Sequence, residues 1–217
     1  MKVDIGFIVA LEKEAEYFLA QSSISKIELI ANKKVYVGSY NGKPFALVIS
    51  GIGKVNASFS TQLLIDRFSP ELLFNFGSSG GISEETEILN YYLIDSACQF
   101  DVLVLPHQLG YLPEYKTSYF QCLKIDSCGL EYKTLASSDR FSFRDCDYQL
   151  IKSFKASIYD MEGGAIAQVA HSNNLPLVIL KGITDVSNNN NLIDFQKNLN
   201  KLSRGFIELI NKIIKEI

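Results

Sequence analysis

Residues 3–10, 72–76 and 177–183 are near-continuous apolar runs, rich in β-branched and large aliphatic side chains, with little polar alternation. A strand with one face in water alternates; a strand covered on both faces does not. The chain is therefore expected to be built on central strands buried on both faces. Helical segments are expected between and after them, at 13–20, 55–68 and 163–172. A closing amphipathic helix is expected over 194–217, where Phe195, Leu199, Leu202, Phe206, Leu209, Ile210, Ile213 and Ile214 recur at helical spacing. Strands alternating with helices predict an α/β fold, with a central mixed, mostly parallel sheet and helices on both faces. Asn41-Gly42 between residues 34–40 and 45–50 predicts a hairpin, the antiparallel element. Further strands are expected at 91–97 and 157–159. Gly51-Ile52-Gly53-Lys54 reads as a tight connection, and Gly77-Ser78-Ser79-Gly80-Gly81 as a glycine-rich turn closing the strand at 72–76. Residues 99–147, with Pro106 and Pro113, show weak periodicity and are expected to hold active-site loops.

At 217 residues, with no linker longer than 187–191, one domain spanning 1–217 is expected. A net charge of -3 with scattered Lys and Arg argues against a nucleic-acid partner. The four cysteines (Cys98, Cys122, Cys128, Cys146) form no CxxC pair and only two histidines exist, so a zinc site is poorly supported. Free thiols in a reducing cytoplasm are the simpler reading. No run approaches the ~18 apolar residues of a membrane span. The apolar N-terminus is interrupted by Asp4 and followed by Glu12, Lys13, Glu14 and Glu16, which suits a first buried strand better than a signal peptide. A cytoplasmic location is expected.

The chemistry is carried by three acids. Asp160-Met161-Glu162-Gly163-Gly164-Ala165-Ile166-Ala167 places a carboxylate where a short apolar run meets a small-residue helix. The run 177–183 ends in Thr184-Asp185, and Glu14 follows the first run. Each acid alone has an ordinary reading: a helix-start acid, a turn residue, a solvated surface acid. Together they lie beyond separate strands, where α/β sheets bind ligands, and this points to an enzyme rather than a binding module. Three acids can divide three tasks: holding sugar hydroxyls, activating water, and staying protonated to donate to a leaving group. The last needs a carboxyl whose pKa is raised. A divalent-metal site is the competing use, with no histidine ligands to favour it. The dinucleotide and P-loop glycine patterns are absent, and Gly77-Ser78-Ser79-Gly80-Gly81 is not expected to be the nucleophile elbow of a serine hydrolase. His171 is expected to be structural; His107 could line a pocket.

Six pieces, in order, make the chain resemble the nucleoside phosphorylase/nucleosidase superfamily, and specifically bacterial 5'-methylthioadenosine/S-adenosylhomocysteine nucleosidases. They are residues 5–14, Ser50-Gly51-Ile52-Gly53-Lys54-Val55-Asn56-Ala57, Asn75-Phe76-Gly77-Ser78-Ser79-Gly80-Gly81, Ser138-Asp139-Arg140-Phe141, residues 160–167, and Ile183-Thr184-Asp185-Val186 followed by Asp194-Phe195. The resemblance implies a three-layer α/β/α sandwich, a homodimer, a small purine nucleoside as substrate, water as nucleophile, and no cofactor or metal. It implies that Glu14 activates the water, Asp185 protonates or hydrogen-bonds N7 of the purine, and Glu162 binds the ribose hydroxyls with Met161 beside the sugar. Ile52 would belong to the substrate site, Ser78 would support Asp185, Phe141 would stack on the base, and Phe195 would line the 5' pocket. Related phosphorylases carry arginines that clamp phosphate. Here Glu12 and Glu14 stand in the first loop, favouring hydrolysis. Three departures stand out: Lys181 where the family usually has Arg, beside Thr184 and the acids; Arg140 where a small or uncharged residue is usual; and a shortened stretch at 124–134. They keep futalosine or aminofutalosine hydrolysis open as the alternative. A purine nucleoside phosphorylase or a non-catalytic nucleoside binder is weaker still.

Overall fold

The computed structural model describes residues 2–82, 84–125, 129–140, 145–186 and 192–216. Strands β1 (Ile5–Val9), β4 (Lys43–Ile49), β5 (Leu72–Gly81) and β10 (Leu177–Val186) form its parallel centre, with β1 between β4 and β5, and β10 on the other side of β5. All five β1 residues are buried, as the unbroken apolar pattern requires. β2 (Ser23–Ile30) and β3 (Lys33–Tyr40) extend the sheet antiparallel to one edge. The β3–β4 turn is Asn41-Gly42, both at positive φ (50° and 81°), the backbone a two-residue hairpin needs.

On the other side lie β6 (Tyr91–Gln99), β7 (Phe120–Gln121), β8 (Tyr132–Ser137) and β9 (Ile158–Asp160). β5 pairs with β10 along its length and with β9 at its end, while β10 continues through β6 and β8 to β9. Five strands therefore close into a ring, a curl that the linear reading of strands and helices did not contain.

Helices α1 (Glu12–Ala20) and α5 (Leu192–Ile214) cover one face, and α2 (Lys54–Phe68) and α4 (Gly163–Ser172) the other. The apolar stripe of α5, with Leu202, Phe206, Ile210 and Ile213 fully buried, meets Phe18 of α1 and the core of β5 and β10. Ala57, Leu64, Ile166 and Ala170 fill the opposite layer. The expected three-layer arrangement is present. Helix α3 (Asp145–Ser153) packs with Ile82, Phe100, Ala136 and Tyr159 in a third cluster beside the ring. No helix is long and apolar enough to cross a membrane among the described residues.

Two expectations on local structure are corrected. Gly77–Gly81 is not a turn: β5 runs through it in parallel register with Lys181–Val186. Its glycines serve close approach instead. A Cβ on Gly77 would stand 2.9 Å from the Glu14 carboxylate, and one on Gly80 2.2 Å from the Tyr159 ring. The middle of the chain is also more ordered than its pattern implies, because β8 and α3 lie in it. No helix occupies 124–134 among the described residues; Tyr132 Oη instead donates to the Ile125 carbonyl at 2.6 Å and closes the connection. The thiols of Cys98, Cys122 and Cys146 are free, and Cys128 lies outside the described residues.

Phe7 is the hub of the α1/α5 layer. Its ring centroid lies 4.8 Å from Phe18, 5.3 Å from Phe74 and 5.7 Å from Phe45, and it is fully buried. Phe7→Ala is expected to cost about 3–5 kcal/mol, read as a lowered denaturant midpoint. A loss under about 1 kcal/mol would show that this layer collapses into the gap.

Candidate active site

At the carboxyl ends of β1, β5 and β10 lies an open cleft. It gathers Glu14, Ser78, Met161, Glu162, Thr184 and Asp185 from four separate segments of the chain. Ile52, Arg140 and Phe195 stand round the same cleft. Lys181 is buried beneath it, and Phe141 lies outside the described residues. No group of three His, Cys, Asp or Glu side chains able to hold a metal occurs among the described residues.

Glu14 sits in the first turn of α1 and is only 2% exposed. Its Oε2 accepts the Leu11 N–H at 3.0 Å, and its Oε1 accepts both the N–H and the hydroxyl of Ser78 at 2.7 Å. This corrects the expected role of Ser78, whose hydroxyl supports Glu14 rather than Asp185. The reason is register: Ser78 follows Gly77, whose missing side chain lets the Glu14 carboxylate close on the β5 backbone.

Glu162 caps α4 and accepts the N–H of Gly53 at 2.9 Å. Gly53 has φ +99° and itself caps α2, so Glu162 lies at the positive ends of two helices. Burial nevertheless dominates. Together with the neighbouring Asp160 carboxylate it pushes the Glu162 pKa up to about 7, against the pull of Lys181 and the Gly53 N–H.

Lys181 Nζ lies 2.8 Å from Asp160 Oδ2, with both side chains 2% exposed. Asp160 also accepts the Gly163 N–H at 2.8 Å and the hydroxyl of Ser137. Burial alone would lower the Lys181 pKa; the carboxylates of Asp160, Glu162 and Glu14 outweigh it and leave it raised. The ammonium reaches Asp160 through one contact where a guanidinium could make two.

Asp185 follows a β-bulge, where the register with β5 shifts between Ile183 and Asp185. Bulges re-aim side chains beside active sites. Thr184 Oγ1 donates to Asp185 Oδ1 at 2.7 Å, and Tyr159 Oη to Oδ2 at 3.4 Å. Asn198 of α5 pins the Thr184 carbonyl at 2.8 Å. Burial raises the Asp185 pKa above its ordinary value, and the two hydroxyl donors only partly offset it.

Among the lining residues outside the expected set are Tyr159 and Asp160, which hydrogen-bond or neighbour the acids. Asp160 was visible, two positions before Glu162 in the motif. Tyr159 gave no signal, because an aromatic in a short apolar run reads as core. Arg140 pairs with Asp147 at 3.1 Å. His107 is exposed beside Tyr111, away from the cleft, and His171 packs on Phe120 as a structural residue.

Residues 4–215 match the family model described as the Phosphorylase superfamily, and the chain belongs to that superfamily. A curated relative is the 5'-methylthioadenosine/S-adenosylhomocysteine nucleosidase of Buchnera aphidicola subsp. Schizaphis graminum. It is 31% identical over 227 residues, which span 98% of this chain and 97% of its own. Within the superfamily, the chain belongs to the family of 5'-methylthioadenosine/S-adenosylhomocysteine nucleosidases. The Streptococcus pneumoniae MTA/SAH nucleosidase, crystallised with 8-aminoadenine, aligns with a TM-score of 0.89 at 25% identity, over 99% of this chain and 100% of that one. The futalosine hydrolase of Helicobacter pylori strain 26695 aligns with a TM-score of 0.89 at 22% identity, over 99% and 98%; at that identity the likeness is one of fold.

The raised pKa of Glu162 makes stability depend on pH in a defined direction. The folded state holds this proton more tightly than the unfolded chain. The contribution is therefore full below the ordinary value of 4.5 and is lost as pH rises through about 7. Glu162→Gln is expected to match the wild type in melting temperature near pH 4 and to exceed it above pH 7. Parallel melting curves across that range would show Glu162 ionised without penalty.

Proposed function

We propose that this protein hydrolyses the N-ribosidic bond of 5'-methylthioadenosine and S-adenosylhomocysteine, releasing adenine and the 5'-thioribose. The observation that carries this reading is the convergence of Glu14, Glu162 and Asp185 in one cleft with three different environments. Asp185, a buried carboxyl with a raised pKa, is the acid that gives a proton to N7 of the base. The C1'–N9 bond then breaks with its electron pair going to a purine that leaves neutral, and the ribosyl group becomes oxocarbenium-like. Glu14, oriented by three donors, takes a proton from water as its oxygen bonds to C1'. Glu162 accepts hydrogen bonds from the ribose hydroxyls, which strengthen as positive charge develops on the sugar.

Met161 would pack beside the ribose, Ile52 and Phe195 would close the 5' end, and Phe141 would stack on the base. No cofactor enters this chemistry. Futalosine or aminofutalosine hydrolysis is the weaker reading, because Arg140, which would read an added carboxylate, is engaged by Asp147. We take 1–217 as one nucleosidase domain, cytoplasmic and homodimeric. Supporting the dimer, large apolar side chains stand in water near the cleft mouth and on α2: Ile52 is 51% exposed and Val55 80%.

Purified protein in phosphate-free buffer is expected to release adenine from methylthioadenosine and S-adenosylhomocysteine faster than base from futalosine or aminofutalosine. Asp185→Asn is expected to lower kcat about a thousandfold with the fold intact, and Glu14→Gln about a hundredfold with KM little changed. Strict phosphate dependence would reassign the reaction as phosphorolysis. Full turnover in Asp185→Asn would remove the acid role.

A further inference from the structure

Asp185 is held by two hydroxyls, and only Thr184 belongs to its own strand. The other comes from Tyr159 of β9, 5% exposed and in register with Gly80 of β5. The position is built around this ring. A Cβ on Gly80 would stand 2.2 Å from two ring carbons and 2.5 Å from the hydroxyl oxygen, so only glycine admits the phenol. Tyr148 of α3 packs on the far side with ring centroids 5.8 Å apart and shares a hydrogen bond with Tyr159. Burial pushes the phenol's pKa far up, so Tyr159 is a neutral donor at every working pH.

We propose that Tyr159 is a positioning residue for Asp185, fixing Oδ2 toward the leaving base and stabilising the carboxylate formed when the proton departs. The proposal rests on Asp185 being the general acid. Oδ1 faces the Thr184 hydroxyl at 2.7 Å, which also reaches the Ser79 carbonyl at 3.1 Å; Oδ2, the oxygen that Tyr159 faces, is assigned as the one that delivers the proton. At 3.4 Å the Tyr159 contact to Oδ2 is long. A hydroxyl bond to a carboxylate is shorter and about twice as strong as one to a neutral acid. The contact therefore tightens as the proton leaves, so it favours the transition state over the bound nucleoside. The other ionisable groups around the cleft are Glu14 on α1, Asp160 and Glu162 between β9 and α4, Lys181 on β10, Arg140 before α3 and Tyr148 on it. Removing one hydroxyl from Tyr159 alters none of their charges.

Tyr159→Phe keeps the ring against Gly80 and deletes only the hydroxyl. With methylthioadenosine, kcat is expected to fall about tenfold while KM stays within about twofold. The basic limb of the kcat–pH profile should move up by about half a unit or more, because the charged form of Asp185 loses a donor. A slower enzyme that holds its acid protonated to higher pH is not what a packing defect produces. Unchanged kcat with an unmoved limb would overturn the proposal. Replacing Tyr159 by 3-fluorotyrosine, a stronger donor of nearly the same shape, should move the limb down; no movement there overturns the proposal even if the phenylalanine variant fails to fold. A carbon-13 NMR titration of the Asp185 carboxyl, assigned with Asp185→Asn, needs no substrate. Its midpoint should rise in Tyr159→Phe, and coincident curves would refute the contact. A wild-type protein that cleaves none of the nucleosides fails the reading of function, and the titration then decides the Tyr159 contact separately.

Discussion

The buried pair of Lys181 and Asp160 is what allows acids to collect at this end of the sheet. Lys181 is the one buried cation among the described residues. Taking two such charges out of water costs several kcal/mol per ion unless geometry and further hydrogen bonds repay it. Here Asp160 is repaid three times, by Lys181, by the Gly163 N–H and by Ser137. Those partners come from β10, α4 and β8, three elements of the strand ring and its covering helix. The pair thus locks the start of α4 against β10 and β8, and Glu162, two residues beyond Asp160, inherits its position from that lock. It also inherits the electrostatics: Asp160 pushes its pKa up while Lys181 pulls it down.

Glycine does the complementary work on the other side of the cleft. Gly77 lets the Glu14 carboxylate approach the β5 backbone, and Gly80 lets the Tyr159 ring do the same. In both cases a missing Cβ converts a strand surface into a socket for a functional side chain. A strand whose side chains are absent packs poorly by itself. β5 survives because its first half, Leu72–Phe76, is wholly buried and because β10 pairs with it along both halves.

That division explains what could be read from the residues alone. The buried central strands and the amphipathic closing helix were legible because burial on two faces or on one stripe leaves a periodic mark. The hairpin was legible because Asn-Gly is the pair that tolerates two positive φ angles. The helix 163–172 was placed to the residue. The glycine run was misread as a turn because glycine marks turns and close approaches alike, and only the facing side chains distinguish them. β2 was missed because it is an edge strand with Ile27 and Leu29 exposed, so its pattern carries no core face. β8 and α3 were missed because their partners, β6, β9 and the third cluster, are distant in sequence. Within the site, the acids were found because carboxylates at strand ends are conspicuous, whereas the partner of Ser78 depended on side-chain direction and Tyr159 looked like any core aromatic.

The three acids carry the same carboxyl group, and the structure separates them by solvation and by donors rather than by identity. Glu14 has three donors and sits on a helix start. Asp185 has two hydroxyl donors, which stabilise its charge less than burial opposes it. Glu162 has one backbone donor and a carboxylate neighbour, and its pKa reaches about 7. A general base and a general acid must hold different protonation states in the same cleft at the same pH. An uneven distribution of donors over similar carboxyls is one way to meet that requirement with neither a metal ligand set nor a histidine, and the described residues of this cleft include neither. The unevenness is set by elements far apart in the chain: α1 and β5 for Glu14, α2 for Glu162, and β9 for Asp185. The uneven supply of donors to the three carboxyls is in this sense a property of how the sheet curls.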